Sequence, residues 1–83
     1  MEISTILDER EKTHGDYTNN CVVSQKLKQA MADAVGYNKL SMVQKETLDR
    51  IATKIGRILC NPNVKDHWTD VQGYAKLAGD LVK

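Results

Sequence analysis

A chain of 83 residues lies near the lower size at which one core holds without disulfides, a metal or a partner chain, so a single domain over residues 1–83 is expected, and oligomerisation with it. With no Phe, one Trp and three Tyr, any core must be mainly aliphatic. A formal net charge of +1 excludes an overall field that would draw the chain onto a nucleic acid polymer or an anionic membrane, and leaves basic function to local clusters.

The start, Met1-Glu2-Ile3-Ser4, lacks the basic and long apolar segments of a signal peptide, and no stretch approaches membrane-spanning length. A cytoplasmic protein without a membrane partner is the expectation. Ser4 or Thr5 can cap a short helix over residues 6–12, with Gly15 ending the segment. After the loop His14-Gly15-Asp16-Tyr17, Thr18 can cap a second helix, in which Val23, Leu27, Ala30, Met31 and Ala34 recur at spacings of three and four before Gly36 stops it.

Ser41 with Gln44 three residues later forms a capping-box pattern and opens the clearest helix, the third, with Leu48, Ile51, Ile55, Ile58 and Leu59 on one face. Asn61-Pro62-Asn63 breaks it, since Pro lacks an amide hydrogen and Asn tolerates turns. Asp66 then caps a fourth helix whose inner side carries Trp68, Val71, Ala75, Ala78 and Val82, with Leu81 beside them. The spacing predicts an all-α fold, a small bundle of about four helices in which the third and fourth form an antiparallel hairpin. Cys21 and Cys60 match no zinc or redox spacing and read as small apolar residues inside helices.

Arg50, Lys54 and Arg57 are separated by four and three residues, which puts them on one stripe of the third helix beside Ile51, Ile55 and Ile58. In an antiparallel hairpin Arg57 comes level with Asp66 and Asp70, and Lys54 with Asp70 to Tyr74. Two readings of this seam stand side by side: interhelical salt bridges, or an edge left free for an anion such as phosphate, with Arg as a planar fork and Lys as a point charge. Gly56 sits between them in mid-helix, where Gly costs about 1 kcal/mol relative to Ala and so implies close approach by a neighbouring helix or a ligand. Gly73 and Gly79 invite the same pair of explanations. His14, Asp16 and Tyr17 in their loop, and His67 and Trp68 at the start of the fourth helix, are further candidates. Against these stand a capping role for Asp16, a solvated first-turn position for His67 and a core position for Trp68.

Arg10, then His14-Gly15-Asp16-Tyr17 with Asn20, then Lys54 and Arg57, then Asp66-His67-Trp68 with Asp70, Gly73-Tyr74-Ala75 and Leu77 together resemble a small phage and prophage family of unassigned function. That family is similar, at a distance, to the MazG-like all-helical nucleotide pyrophosphohydrolases. The resemblance implies an oligomeric helical bundle that binds nucleotides with magnesium on paired acids. Here the pattern departs: the third helix offers only Glu46 and Asp49, the fourth Asp66 and Asp70.

Cations facing the two aspartates compete with a metal for them, while suiting a phosphate directly. The expected function is therefore capture, without turnover and without a cofactor, of a nucleotide or a nucleotide-derived signal such as a cyclic nucleotide or an ADP-ribose-like defence messenger. Its expected site is His14, Asp16, Tyr17, Asn20, Arg50, Lys54, Arg57, His67, Trp68, Asp70 and Tyr74. The alternatives are a magnesium-dependent nucleoside triphosphate pyrophosphohydrolase using Asp66 and Asp70, and a protein-protein interaction module.

Overall fold

The computed structural model describes residues 3–6 and 16–83. Residues 3–6 are helical (α1); α2 spans Tyr17–Asp33, a 3-10 turn covers Tyr37–Lys39, α3 spans Met42–Cys60 and α4 Lys65–Gly79. Among the described residues there is no strand, and no helix is long and apolar enough to cross a membrane. The all-α expectation holds, and so does the pairing of the third and fourth helices.

Local chemistry explains the helix ends, and four of them differ from expectation. Ser4 and Thr5 are themselves helical, and residues 7–12 of the expected first helix lie outside the described residues, as do His14 and Gly15. Asp16, not Thr18, is the N-cap of α2: its carboxylate accepts the Thr18 amide at 2.8 Å, which carries the helix back to include Tyr17. α2 stops at Asp33 with Ala34 as its C-cap, and Gly36 has φ −82, so it opens the 3-10 turn instead of terminating the helix in a left-handed conformation. At α4 the N-cap is Val64, which has no side-chain cap. Asp66 lies within the first turn, where its charge suits the positive end of the helix without capping it.

The capping box of α3 is present in full: the Gln44 amide donates to Ser41 Oγ at 3.1 Å and the Ser41 amide to Gln44 Oε1 at 2.9 Å. Lys45 lies over the Tyr37 ring, 4.8 Å from its centroid, and ties the 3-10 turn to α3.

α3 is the central helix, packed against α2 on one side and α4 on another. Antiparallel contacts run along both interfaces: Ser24 opposite Thr53 and Asn20 opposite Cys60 on the α2 side, Lys54 opposite Asp70 and Arg50 opposite Tyr74 on the α4 side. The N-termini of α2 and α4 therefore lie together at the C-terminal end of α3. The α2 side is built on small residues. A Cβ placed on Gly56 would stand 3.0 Å from the Asn20 carbonyl oxygen, so the close approach foreseen at Gly56 is made by a neighbouring helix backbone. Gly73 and Gly79 have nothing within 4 Å of such a Cβ, so close approach does not explain them.

The expected core is not where the chain buries its side chains. Among the described residues only Ser24, Ala52, Gly56 and His67 are buried. At about 100° per residue, the α3 positions that meet α2 (Thr53, Gly56, Cys60) and those that meet α4 (Arg50, Lys54) leave a third face. Leu48, Ile51, Ile55, Ile58 and Leu59 occupy it, half-buried or exposed. α4 turns His67, Asp70, Tyr74 and Ala78 toward α3, so Val71, Ala75, Trp68 and Val82 lie on the same side of the molecule as that aliphatic face. Trp68 is 53% exposed and donates its indole N–H to the Pro62 carbonyl at 2.8 Å. Its expected core role is overturned because the inner positions of α4 go to smaller and polar groups.

Two substitutions test this packing. Gly56→Ala is expected to lower stability by about 1–2 kcal/mol in thermal or denaturant unfolding, because α2 must shift, although Ala is the better helix former. Gly73→Ala, which meets nothing, is expected to raise stability by up to about 1 kcal/mol.

Candidate functional site

The stripe read from the sequence forms a ladder along the α3–α4 interface. Lys54 Nζ is 2.7 Å from Asp70 Oδ2, with the lysine side chain only 12% exposed. The long stem lies on the helix interface and its head reaches the carboxylate, so the interhelical pairing reading is realised at this rung. One turn away, Arg50 donates from Nε to Glu46 Oε2 at 2.9 Å along its own helix and lies over the Tyr74 ring, 5.7 Å from the centroid. Arg57 is half-buried on the same stripe and makes no side-chain hydrogen bond or ion pair with another described residue; its field reaches the Asp70 carboxylate.

Lys54 and Arg57 therefore both bear on Asp70. The hydrogen bond from Lys54 is the strongest influence holding its carboxyl below the ordinary value; desolvation opposes it, and the charges of Lys54, His67 and Arg57 add to the lowering. His67 is 1% exposed. Its expected place as a solvated ring at the start of α4 is overturned, because the first turn of α4 rests on α3 and carries position 67 inward. No buried side-chain nitrogen or oxygen among the described residues lacks a hydrogen-bond partner, so this ring is part of the packed polar interior.

At the end where α2 and α4 both begin, Asp16 is held by its capping bond and Tyr17 is exposed. A hydrogen bond with the Cys21 side chain, one turn on, raises the Tyr17 phenol above its ordinary value. Cys60 Sγ accepts from Asn19 Nδ2 at 3.2 Å and donates to Asn20 Oδ1 at 3.0 Å. Asn20 is thus engaged in the α2–α3 contact, and Cys60 acts there as a polar bridge, not a small apolar residue. Cys21 is an exposed thiol. The Ser24–Thr53 contact at 3.3 Å was not foreseen: Thr53 spends its hydrogen on the Asp49 carbonyl, so Ser24 is the donor. Ser24 four residues after Asn20, facing the small-residue row Ala52, Gly56 and Cys60, was the sequence signal for this interface.

Beyond Arg50 the ladder opens into a groove of about 540 Å³ lined by Met42, Val43, Glu46, Thr47, Arg50, Tyr74, Leu77, Ala78 and Leu81. It was missed because Leu81 was assigned to the inner side and Leu77 and Met42 to no face. The structure thus brings Arg50, Lys54, Arg57, Asp70 and Tyr74 onto one side, buries His67 beneath them, and puts Trp68 on the opposite flank of α4.

The carboxylates open to the magnesium alternative are partly engaged already. Asp70 is taken by Lys54 and Glu46 by Arg50, and Glu46 lies eight residues before Lys54, about 12 Å along the axis. No group of three or more His, Cys, Asp or Glu among the described residues could hold a metal ion, so these side chains do not fit a magnesium centre.

Residues 3–82 match the family described as a domain of unknown function, DUF6378. The chain belongs to that family. No curated protein and no solved structure matches it.

In this DUF6378 chain the lowered Asp70 value has a defined consequence. A carboxyl held below its unfolded-state pKa stabilises the fold above that pKa, and the contribution is lost as pH falls through the folded value. The gap in melting temperature between wild type and Asp70→Asn is expected to be present at pH 7, to narrow as pH falls below the ordinary carboxylate range and to close once it has fallen through the folded value. A gap that does not change with pH contradicts the Lys54–Asp70 pairing.

Proposed function

We propose that this DUF6378 chain captures a nucleotide or a nucleotide-derived signal, of the cyclic or ADP-ribose type, and holds it without turnover. One observation carries the reading: Arg57, the cation of the stripe with no ion pair to another described residue, is on the same side of α3 as the groove lined by Arg50 and Tyr74. Seven residues separate Arg57 from Arg50, about 10 Å along a helix, a span that matches the reach from a nucleotide's phosphate to its base. Arg57 supplies a planar fork for phosphate oxygens. Tyr74, with Leu77 and Met42 beside it, supplies an apolar wall for a flat ring. Lys54 is reserved for Asp70 and acts as a strut that keeps α4 at the distance the groove needs.

Capture without hydrolysis is favoured over pyrophosphohydrolysis because two of the acids, Asp70 and Glu46, are already paired with cations. Phosphoryl transfer needs charge neutralisation at the transferring group, usually by metal ions on clustered carboxylates.

Isothermal titration against nucleoside triphosphates, cyclic dinucleotides and ADP-ribose is expected to find one class bound with Kd tighter than about 10 µM. Arg57→Ala should weaken it at least about tenfold, the loss of one charge-assisted contact, with helicity unchanged. With magnesium present, no pyrophosphate is expected from the triphosphates. Absence of heat across the panel overturns capture, and pyrophosphate release restores the hydrolase reading.

A further inference from the structure

The groove beyond Arg50 is lined on its α4 side by Tyr74, Leu77 and Ala78, and carries its charged and hydroxyl groups on α3, at Glu46, Thr47 and Arg50. Each of these three has part of its hydrogen-bonding capacity already assigned. Arg50 Nε is spent on Glu46 Oε2 at 2.9 Å, with the guanidinium over the Tyr74 ring, which leaves donors on its Nη nitrogens. Arg50 occupies one oxygen of Glu46 and leaves Oε1, an acceptor on a side chain that is 62% exposed and so within reach of a ligand. Thr47 donates its hydroxyl hydrogen to the Val43 carbonyl at 2.7 Å, so Oγ1 has only lone pairs left to offer. What the α3 wall presents is therefore a donor followed by two acceptors.

Resting on the capture reading above, we propose that the base of the captured nucleotide is guanine, its Watson–Crick edge read by Arg50, Glu46 and Thr47. That edge runs acceptor, donor, donor: O6, the N1 hydrogen and the N2 amino group. Arg50 donates to O6, Glu46 Oε1 accepts from N1, and Thr47 Oγ1 accepts from N2. No other common base has this order. Adenine sets its N1 lone pair against the carboxylate, cytosine its N3 lone pair, and uracil has one donor between two acceptors, so each leaves a polar group of the wall opposed or unpaired.

Position along α3 agrees with this edge. Glu46 stands four residues before Arg50, about 6 Å further from Arg57 along the axis. A base that begins at Tyr74, with its phosphate at Arg57, brings its far edge to that turn. The bond from Arg50 also restrains Glu46 before a ligand arrives, which lowers the ordering cost of recognition. As an exposed pair on one helix it adds little to stability, so its role toward a ligand can be separated from its role in the fold by substitution. ADP-ribose carries adenine, so of the two kinds of signal the cyclic kind, with guanine, suits this wall.

Titration calorimetry of the full chain with matched ligands tests the base: GTP, ITP and ATP, and the guanine and adenine cyclic dinucleotides. The guanine member is expected to bind at least about tenfold tighter than its adenine counterpart, the discrimination that one well-placed paired contact to a base edge provides. ITP, which lacks the N2 amino group, should fall between GTP and ATP. Glu46→Gln keeps the shape of the side chain and an oxygen for Arg50 but turns an amide toward the base. It is expected to weaken the guanine member at least about tenfold and to narrow the guanine preference, whereas Arg57→Ala weakens guanine and adenine members alike. Should Glu46→Gln lose helicity, Thr47→Val gives a second reading, a smaller gap between GTP and ITP. Equal affinity for guanine and adenine members, a preference for adenine, or ADP-ribose bound more tightly than every guanine nucleotide overturns the guanine assignment and leaves capture standing. No heat from any of these ligands or from ADP-ribose removes capture, and the assignment with it.

Discussion

The structure turns on the contact between Gly56 and the backbone of α2. A helix can approach another closely only where side chains stay small, and at Gly56 even a methyl group would meet the Asn20 carbonyl at 3.0 Å. That approach draws the N-terminal turns of α2 onto the C-terminal turns of α3. It places Ser24 against Thr53 and the Asn19–Asn20 pair against Cys60. Because α4 must then use another side of α3, its own N-terminus arrives at the same end, beside Arg57 and Lys54.

The division of α3 into three faces follows. A small-residue face receives α2, a cationic face receives α4, and the aliphatic face is left over. In a larger protein the aliphatic face would be the natural place for a neighbouring helix, since apolar burial contributes most of the stability of packing. Here the neighbours are spent on small and polar contacts, so the greatest apolar surface of the helix stays at the edge. The buried His67 and the Lys54–Asp70 pair belong to the same logic, in which interior polar groups among the described residues have hydrogen-bond partners. Removing one partner of such a set costs more than the pair itself contributes, which gives the α3–α4 register its specificity.

The pairing also separates two kinds of cation that look alike in the sequence. Lys54 and Arg50 each have a partner, a carboxylate across the hairpin and a carboxylate with an aromatic ring on either side of it. Among the described residues Arg57 has only the long-range pull of Asp70. On the proposed reading, chemistry for an incoming anion narrows from a stripe to one guanidinium and the groove that continues beyond Arg50. Membership of DUF6378 leaves that chemistry to be argued from the side chains alone.

Much of this was written in the sequence by local rules. The capping box at Ser41 and Gln44, the break at Pro62, the single stripe of Arg50, Lys54 and Arg57 and its level with Asp70 all depend on near neighbours or on a short antiparallel connection. Geometry of that kind is carried by spacing alone. The ends of α2 and α4 were less legible, since Asp16 and Thr18, or Val64 and Asp66, compete for the same position and only the backbone entering the helix decides between them. Which face of each helix turns inward was decided by tertiary structure. An aliphatic stripe says that a surface wants cover, but the small residues at Ala52 and Gly56 determine how near a neighbour comes, and that distance sent Trp68 outward, His67 inward and left the aliphatic face of α3 only half covered.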